Sequence, residues 1–340
     1  MSGAILVVDS ESTANAYVRG GSVRGDSVGA ILFDHTPAAC VEILGRSVLE
    51  RTVQKFFESG AERVSVLVDK AAAESLPIMR GSYPALELVE VDDCLAGLSK
   101  TLEFYSASGV ENAFIQSASI YSDCDYLDFK EFHRSRRQAI TRAFDRQGTL
   151  DLWLVDCSKV QQLGISHLLS QNSNRGSSYC IREYMNRLTE PADVRRLVVD
   201  AFRRRCDLRP EGSETRAGVW VEEDTDIHRR ARIVAPAYIG RGSRLQEDTL
   251  ITRYSNIESR CLIDYGTVIE DSSVLSDSYV GIWLDVCHAV VYGSKLMNLP
   301  RNVALEFADP SIIRANTIAS KTAKLEPASR TSLETLASLQ

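Results

Sequence analysis

The sequence predicts an α/β domain followed by a coil of short β-strands. Two patterns predict it. Up to about residue 210, strand-like and helix-like stretches alternate, which implies a mostly parallel sheet with helices on both faces. From Val221 to Leu275 a branched aliphatic residue returns at every sixth position, a period that neither a helix nor a flat strand has. Composition bounds the rest. The 340 residues carry a net charge of −7, which argues against a general nucleic-acid binder, and no apolar run approaches the length of a membrane span. The opening MSGAILVVDSES has no basic segment and enters a strand pattern at once, so it reads as core rather than signal peptide, and the expected location is the cytoplasm.

In the first part, Ala4–Val8 (AILVV) is a continuous apolar run, as expected of a strand buried on both faces. Ser47–Gly60 carries Val48, Leu49, Val53, Phe56 and Phe57 at helical spacing, with Gly60 as the stop. Glu62–Asp69 alternates as a strand. Leu95–Gly109 reads as a helix, and Asn112–Gln116 and Asp151–Asp156 as strands. Pro191–Cys206 reads as a helix opened by proline. Arg209–Gly218 (RPEGSETRAG) reads as a linker, which sets domains at 1–210 and 219–310 and leaves 311–340 as a polar tail with a short helix near Ser332–Leu339.

In the second part the sixth-residue row is Val221, Ile227, Ile233, Ile239, Leu245, Ile251, Ile257, Ile263, Ile269 and Leu275. Four positions after each come small residues, from Thr225, Ala231, Ala237 and Ser243 through Thr249, Ser255, Cys261, Thr267 and Ser273, until Tyr279 breaks the row. A coil with short flat faces and tight corners has this period. Each aliphatic points inward onto its equivalent in the next turn, and Gly240, Gly242 and Gly266 fall at corners. The pattern resembles the left-handed parallel β-helix of hexapeptide-repeat proteins. Leu296–Pro310 is expected to cap the stack, because terminal repeats must be atypical.

An α/β domain ahead of a hexad β-helix resembles the nucleotide-sugar pyrophosphorylases, such as the mannose-1-phosphate guanylyltransferase and glucose-1-phosphate thymidylyltransferase families. Pro37–Arg46 (PAACVEILGR) is similar to the family's PKPLLPVAGR run. Ile115–Tyr126 (IQSASIYSDCDY) resembles the segment ending in a DxD-like turn, with Asp123 and Asp125 retained as metal candidates. Phe129–His133 and Thr189–Val194 (TEPADV) resemble the segments that follow. The resemblance implies a Rossmann-like nucleotidyltransferase domain acting on a sugar-1-phosphate and a nucleoside triphosphate, with Mg²⁺ if active, since anionic reactants need cationic clamping. The sequence departs from the family at each clamp. Asp9–Gly21 has no GxGTR loop, Ala38 stands at the PKP lysine, and Ser119 and Arg187 stand at the metal aspartates. The reading is therefore a catalytically impaired nucleotidyltransferase-like protein. Its candidate nucleotide or phosphate contacts are Asp9, Ser10, Ser117, Ser119 and Arg187, with the Arg187 guanidinium in part replacing the metal.

Two enzyme readings stand beside it. One is an active nucleotidyltransferase with a rearranged phosphate loop, Gly20–Gly25 being the alternative segment. The other is a hexapeptide acyltransferase using His228 or His288 as base. The bland readings are an inserted loop and corner histidines. For Asp123 and Asp125 a turn with a helix cap is the preferred reading over a metal pair, since acidic side chains favour that position, and Gly281–Asn302 reads as either the coil's cap or an oligomer interface. The eight cysteines are scattered, with no CxxC or CxxH cluster, which predicts buried reduced thiols. Expected partners are a nucleotide or nucleotide sugar, further copies of the chain, and by the resemblance an active paralogue; neither nucleic acid nor membrane is expected.

Overall fold

A computed structural model describes residues 2–8, 36–77, 79–164, 177–316 and 331–332, and its architecture is mixed α/β with parallel sheets. The apolar run Ser2–Val8 lies inside an eight-stranded sheet. Its strands run in the order Ser177–Cys180, Ile140–Asp145, Gly148–Asp156, Asn112–Ser117, Ser2–Val8, Arg63–Asp69, Leu86–Val91, Thr331–Ser332. Pairing is parallel except at Gly148–Asp156, which is antiparallel to both neighbours.

Alternation along each strand feeds two cores. Ala4, Leu6, Val8, Val64, Val66 and Val68 pack against the helices Val48–Glu58, Tyr126–Arg136 and Pro191–Phe202. Ile5, Leu67, Val89 and Ile115 face Cys94–Ala107 and Cys157–Leu163 on the other side. The helix ends are chemically marked: Ser47 accepts the Glu50 N–H at 3.1 Å, and Glu190 and Asp193 form a capping box around Pro191.

From Val219 the chain winds through three sheets of two- to four-residue strands. Each strand pairs in parallel with its equivalent eighteen residues on, as Val219 beside Ala237 and Ala237 beside Ser255. Ile239, Leu245, Ile251, Ile257, Ile263 and Ile269 fill the interior. After Ile269 the six-residue row slips by one. Ile257 pairs with Val274, and Ile269 with Val286, each seventeen residues on. The interior then continues through Val274, Val280, Val286 and Val291. Leu275, expected inside, instead joins the apolar cluster of the α/β part. Ser278 takes the buried small position where Tyr279 had broken the row. The cause is a shortened corner. Arg253 and Tyr254 both adopt positive φ at one turn, whereas Asp271 alone does so at the next. Arg195 of Pro191–Phe202 holds both corners, donating to the carbonyls of Arg253 and Tyr254 and pairing with Asp271 at 2.6 Å.

Three other segments differ from expectation. Within the supposed linker, Ser213–Arg216 forms a strand antiparallel to Val219–Val221. Gly212 and Gly218 supply the positive φ values at its ends. Past residue 310, Ile313–Ala315 pairs antiparallel with Ser278–Val280. Ser332, expected to open a helix, pairs with Glu90 on the main sheet, and residues 333–340 lie outside the described residues. The expected cap is a hairpin of Lys295–Asn298 and Val303–Glu306, with Leu296 and Phe307 packed on the coil's interior.

The coil and the α/β part share a core. Tyr238, Leu275, Val290 and Met297 belong to the same apolar cluster as Val53, Phe56 and Val194. Six of the cysteines (Cys40, Cys94, Cys124, Cys157, Cys206, Cys261) are buried, Cys180 is exposed, Cys287 is half-buried, and all eight are free thiols. No helix among the described residues is long and apolar enough to cross a membrane.

Candidate functional site

In open sheets of this kind ligands bind outside the carboxyl ends of parallel strands. Three of the sequence candidates meet at that end. Ser117 ends its strand beside Val7, and the Ala118 N–H donates to Val7 O at 2.9 Å. Ser117 Oγ accepts the Ser119 N–H at 3.3 Å. The short strand Met185–Arg187 runs antiparallel to Ile120–Ser122, placing Arg187 across from Ile120, and the Leu188 N–H donates to Ser119 O at 2.8 Å. Two serines and the backbone of Arg187 thus lie together at that end. Asp9, Ser10 and the Gly20–Gly25 segment lie outside the described residues.

Sequence reasoning missed what holds Arg187. Its two terminal nitrogens pair with both oxygens of Asp145 at 2.9 and 2.7 Å, and it donates to Gln147 Oε1 at 2.5 Å. Asp145 and Gln147 sit on the tight hairpin between Ile140–Asp145 and Gly148–Asp156. The one available signal was the turn composition DRQG between two apolar runs. Nearby, Arg142 pairs with Asp151 at 3.0 Å, and burial pushes the Asp151 carboxyl up to about 6 against the opposing pull of Arg142.

The metal candidates have other partners. Asp123 accepts from Lys55 Nζ at 2.5 Å and from the Asp207 N–H at 2.8 Å. Asp125 caps Tyr126–Arg136, accepting the N–H groups of Leu127 and Asp128 at 3.0 Å. Among the described residues no three His, Cys, Asp or Glu side chains form a metal-binding group. Arg187, a cation, stands where the resemblance places a metal carboxylate. The described residues therefore do not fit Mg²⁺.

The histidines of the acyltransferase reading sit at corners. His288 is exposed, at φ 50°, with Nδ1 2.6 Å from Asp271 Oδ2. His228 accepts the Arg230 N–H at 3.3 Å.

A second polar cluster lies where the coil meets the α/β part. The Leu44 and Gly45 N–H groups donate to the fully buried Glu258 at 2.7 and 3.0 Å, and Asn256 Nδ2 donates at 2.6 Å. Gly45 is at φ 94°, and a Cβ there would collide with the Glu222 carboxylate and the Tyr238 hydroxyl. Glu222 is held by Arg80 at 3.0 Å and by Tyr238 Oη at 2.6 Å, and Glu42 accepts from Ser259 and Ser276. A cavity of about 510 Å³ opens beside it, walled by Glu42, Glu74, Arg260, Asp277 and Tyr292. Ala38, at the PKP lysine position, sits in a single helical turn with the buried Ala39 and Cys40. No protein-family model matches the chain, and no curated protein matches it either.

Proposed function

We propose that this chain is a sugar-nucleotidyltransferase-like protein that binds a nucleotide or nucleotide sugar without turning it over. It would combine a Rossmann-like nucleotidyltransferase domain at 1–210 with a left-handed parallel β-helix at 219–310, and serve sugar-nucleotide or polysaccharide metabolism in a binding, regulatory or assembly role. The observation that carries the reading is the convergence of Ser117, Ser119 and Arg187 at the carboxyl ends of the parallel strands. A guanidinium presents a rigid fork of donors that suits phosphate oxygens. Asp145 and Gln147 engage the terminal N–H groups of that fork in this structure, so a phosphate would meet the remaining Nε–H or displace them, and the paired guanidinium favours recognition over the strong electrostatic stabilisation that phosphoryl chemistry requires.

The test is a thermal-shift screen with GTP, dTTP, UTP, ATP and their sugar conjugates, each with and without Mg²⁺. A ligand that binds only the folded state raises the melting temperature. The expected result is a shift with one nucleotide or nucleotide sugar that does not need Mg²⁺ and is lost in Arg187→Ala. Equal affinity in wild type and Arg187→Ala would remove Arg187 from the site. Mg²⁺-dependent release of pyrophosphate would replace the reading with an active nucleotidyltransferase.

A further inference from the structure

The α/β part holds a polar cavity at the opposite end of its sheet from Ser117. It lies where the strand Asn112–Ser117 begins, where the helices Cys94–Ala107 and Tyr126–Arg136 end, and where Gly148–Asp156 runs into Cys157–Leu163. Its volume is about 560 Å³, the size of a small-metabolite site. Two nearly buried polar side chains line it: Asn112 is 8% exposed and His133 2%. His133 Nδ1 lies 2.7 Å from Thr141 Oγ1. Among the described residues the Asn112 amide and His133 Nε2 have no hydrogen-bond partner, and neither is sealed from solvent. The cavity is what they open onto. Groups that have lost most of their water favour any ligand that supplies the missing bonds.

The charges around the cavity set the sign of that ligand. Arg134 pairs with Glu111 at 3.6 Å and Lys159 with Asp156 at 3.0 Å. Arg137 has no ion pair among the described residues, which leaves one uncompensated cation on the lining. Burial pushes the His133 imidazole down to about 4, so it is neutral near pH 7 and offers a hydrogen bond rather than a charge. Two helices present their C-terminal, partly negative ends here, so a second negative charge on the ligand would be repelled.

We infer that this cavity binds a small hydroxylated monocarboxylate, with its carboxylate on Arg137 and its hydroxyls on Asn112 and His133 Nε2. A guanidinium fork matches the two oxygens of a carboxylate. A hydroxyl both donates and accepts, as the asparagine amide does, so the pair is satisfied in either direction. The site stands apart from Ser117, Ser119 and Arg187 and does not rest on the nucleotide reading.

Isothermal titration calorimetry of the full chain tests this, with D-gluconate as the probe and glucose and glucose 6-phosphate beside it. Gluconate is expected to bind, and the neutral sugar and the phosphate ester to bind at least ~10-fold more weakly, the value of one charge-assisted hydrogen bond. Arg137 ends its helix at φ 52°, a conformation glycine favours, so Arg137→Gly removes the guanidinium and keeps the turn. Asn112→Asp keeps the shape of the side chain and sets a carboxylate against the ligand's own. Each is expected to weaken gluconate binding at least ~10-fold with the circular dichroism unchanged, while Arg187→Ala leaves it as in wild type. Absence of gluconate binding up to roughly 10 mM overturns the proposal. So does an affinity indifferent to both Arg137→Gly and Asn112→Asp. Tighter binding of glucose 6-phosphate than of gluconate overturns the carboxylate assignment.

Discussion

The two faces of the coil's strands obey different rules. The inward row Ile239, Ile257, Val274, Val291 is aliphatic throughout and fully buried. One residue to the side, the outward row of the same strands reads Trp220, Tyr238, Asn256, Ser273, Val290, with no common chemistry. The inward residues answer only to their own neighbours in the stack, so one residue type repeats. The outward residues meet a helix, a turn and an arginine from elsewhere in the chain, so each is different. The repeat specifies the coil; the departures from it specify what the coil holds.

The largest effect should come from opening the inward row. Ile257→Ala deletes a fully buried side chain from a close-packed column and is expected to cost about 4 kcal/mol in urea denaturation. Ile227→Ala, at a half-buried position near the start of the stack, should cost clearly less. Similar losses at both would mean the column is not the coil's main source of stability. On the outer face Arg80→Ala should come next, at about 3 kcal/mol. It leaves the nearly buried Glu222 with Tyr238 Oη and a distant Arg241, and an unpaired buried charge is costly.

Glu258 separates the two faces by pH. Burial, and then the neighbouring Glu42 carboxylate, push its carboxyl up to about 8. Between its ordinary value near 4.5 and about 8 the folded state holds a proton that the unfolded state has released. Its contribution is therefore fully present in acid and is lost as pH rises towards 8. The slope reaches at most about 1.4 kcal/mol per pH unit. Denaturation at several values between pH 5 and 8 should show stability falling more steeply in wild type than in Glu258→Gln. Parallel curves would mean that Glu258 stays ionised through its bonds to Leu44, Gly45 and Asn256.

How much of this was legible follows from the same contrast. The inward row declared itself through its period up to Ile269, and the α/β alternation through runs such as Ala4–Val8 and Ser47–Gly60. The slip at Asp271 was not legible, because the corner is set by Arg195, far away in sequence and unmarked by any motif. The same holds at the candidate site. Ser117, Ser119 and Arg187 could be named from a resemblance, but Asp145, which decides how much charge Arg187 presents, lies on a hairpin that carries no motif. Glu258 was invisible for the opposite reason: it occupies an ordinary position beside a hexad aliphatic, and only the turn at Leu44–Gly45 makes it special.

The smallest expected effect tests two aspartates that look equivalent in sequence. Asp123 and Asp125 form a D-x-D pair, the spacing a metal site would use, yet the fold gives them unrelated work. Asp125 accepts two N–H groups at the exposed start of a helix, so Asp125→Ala should cost about 1 kcal/mol, the usual value of an N-cap. Asparagine, itself a good cap, should restore most of that loss. Asp123 instead closes on Lys55 with its side chain 6% exposed, so asparagine there would leave the ammonium without a charge partner and should not rescue Asp123→Ala. A metal pair would behave otherwise: both substitutions would abolish a Mg²⁺-induced rise in melting temperature together. Rescue by asparagine at Asp125 alone, with Mg²⁺ indifferent to either change, is the expected pattern.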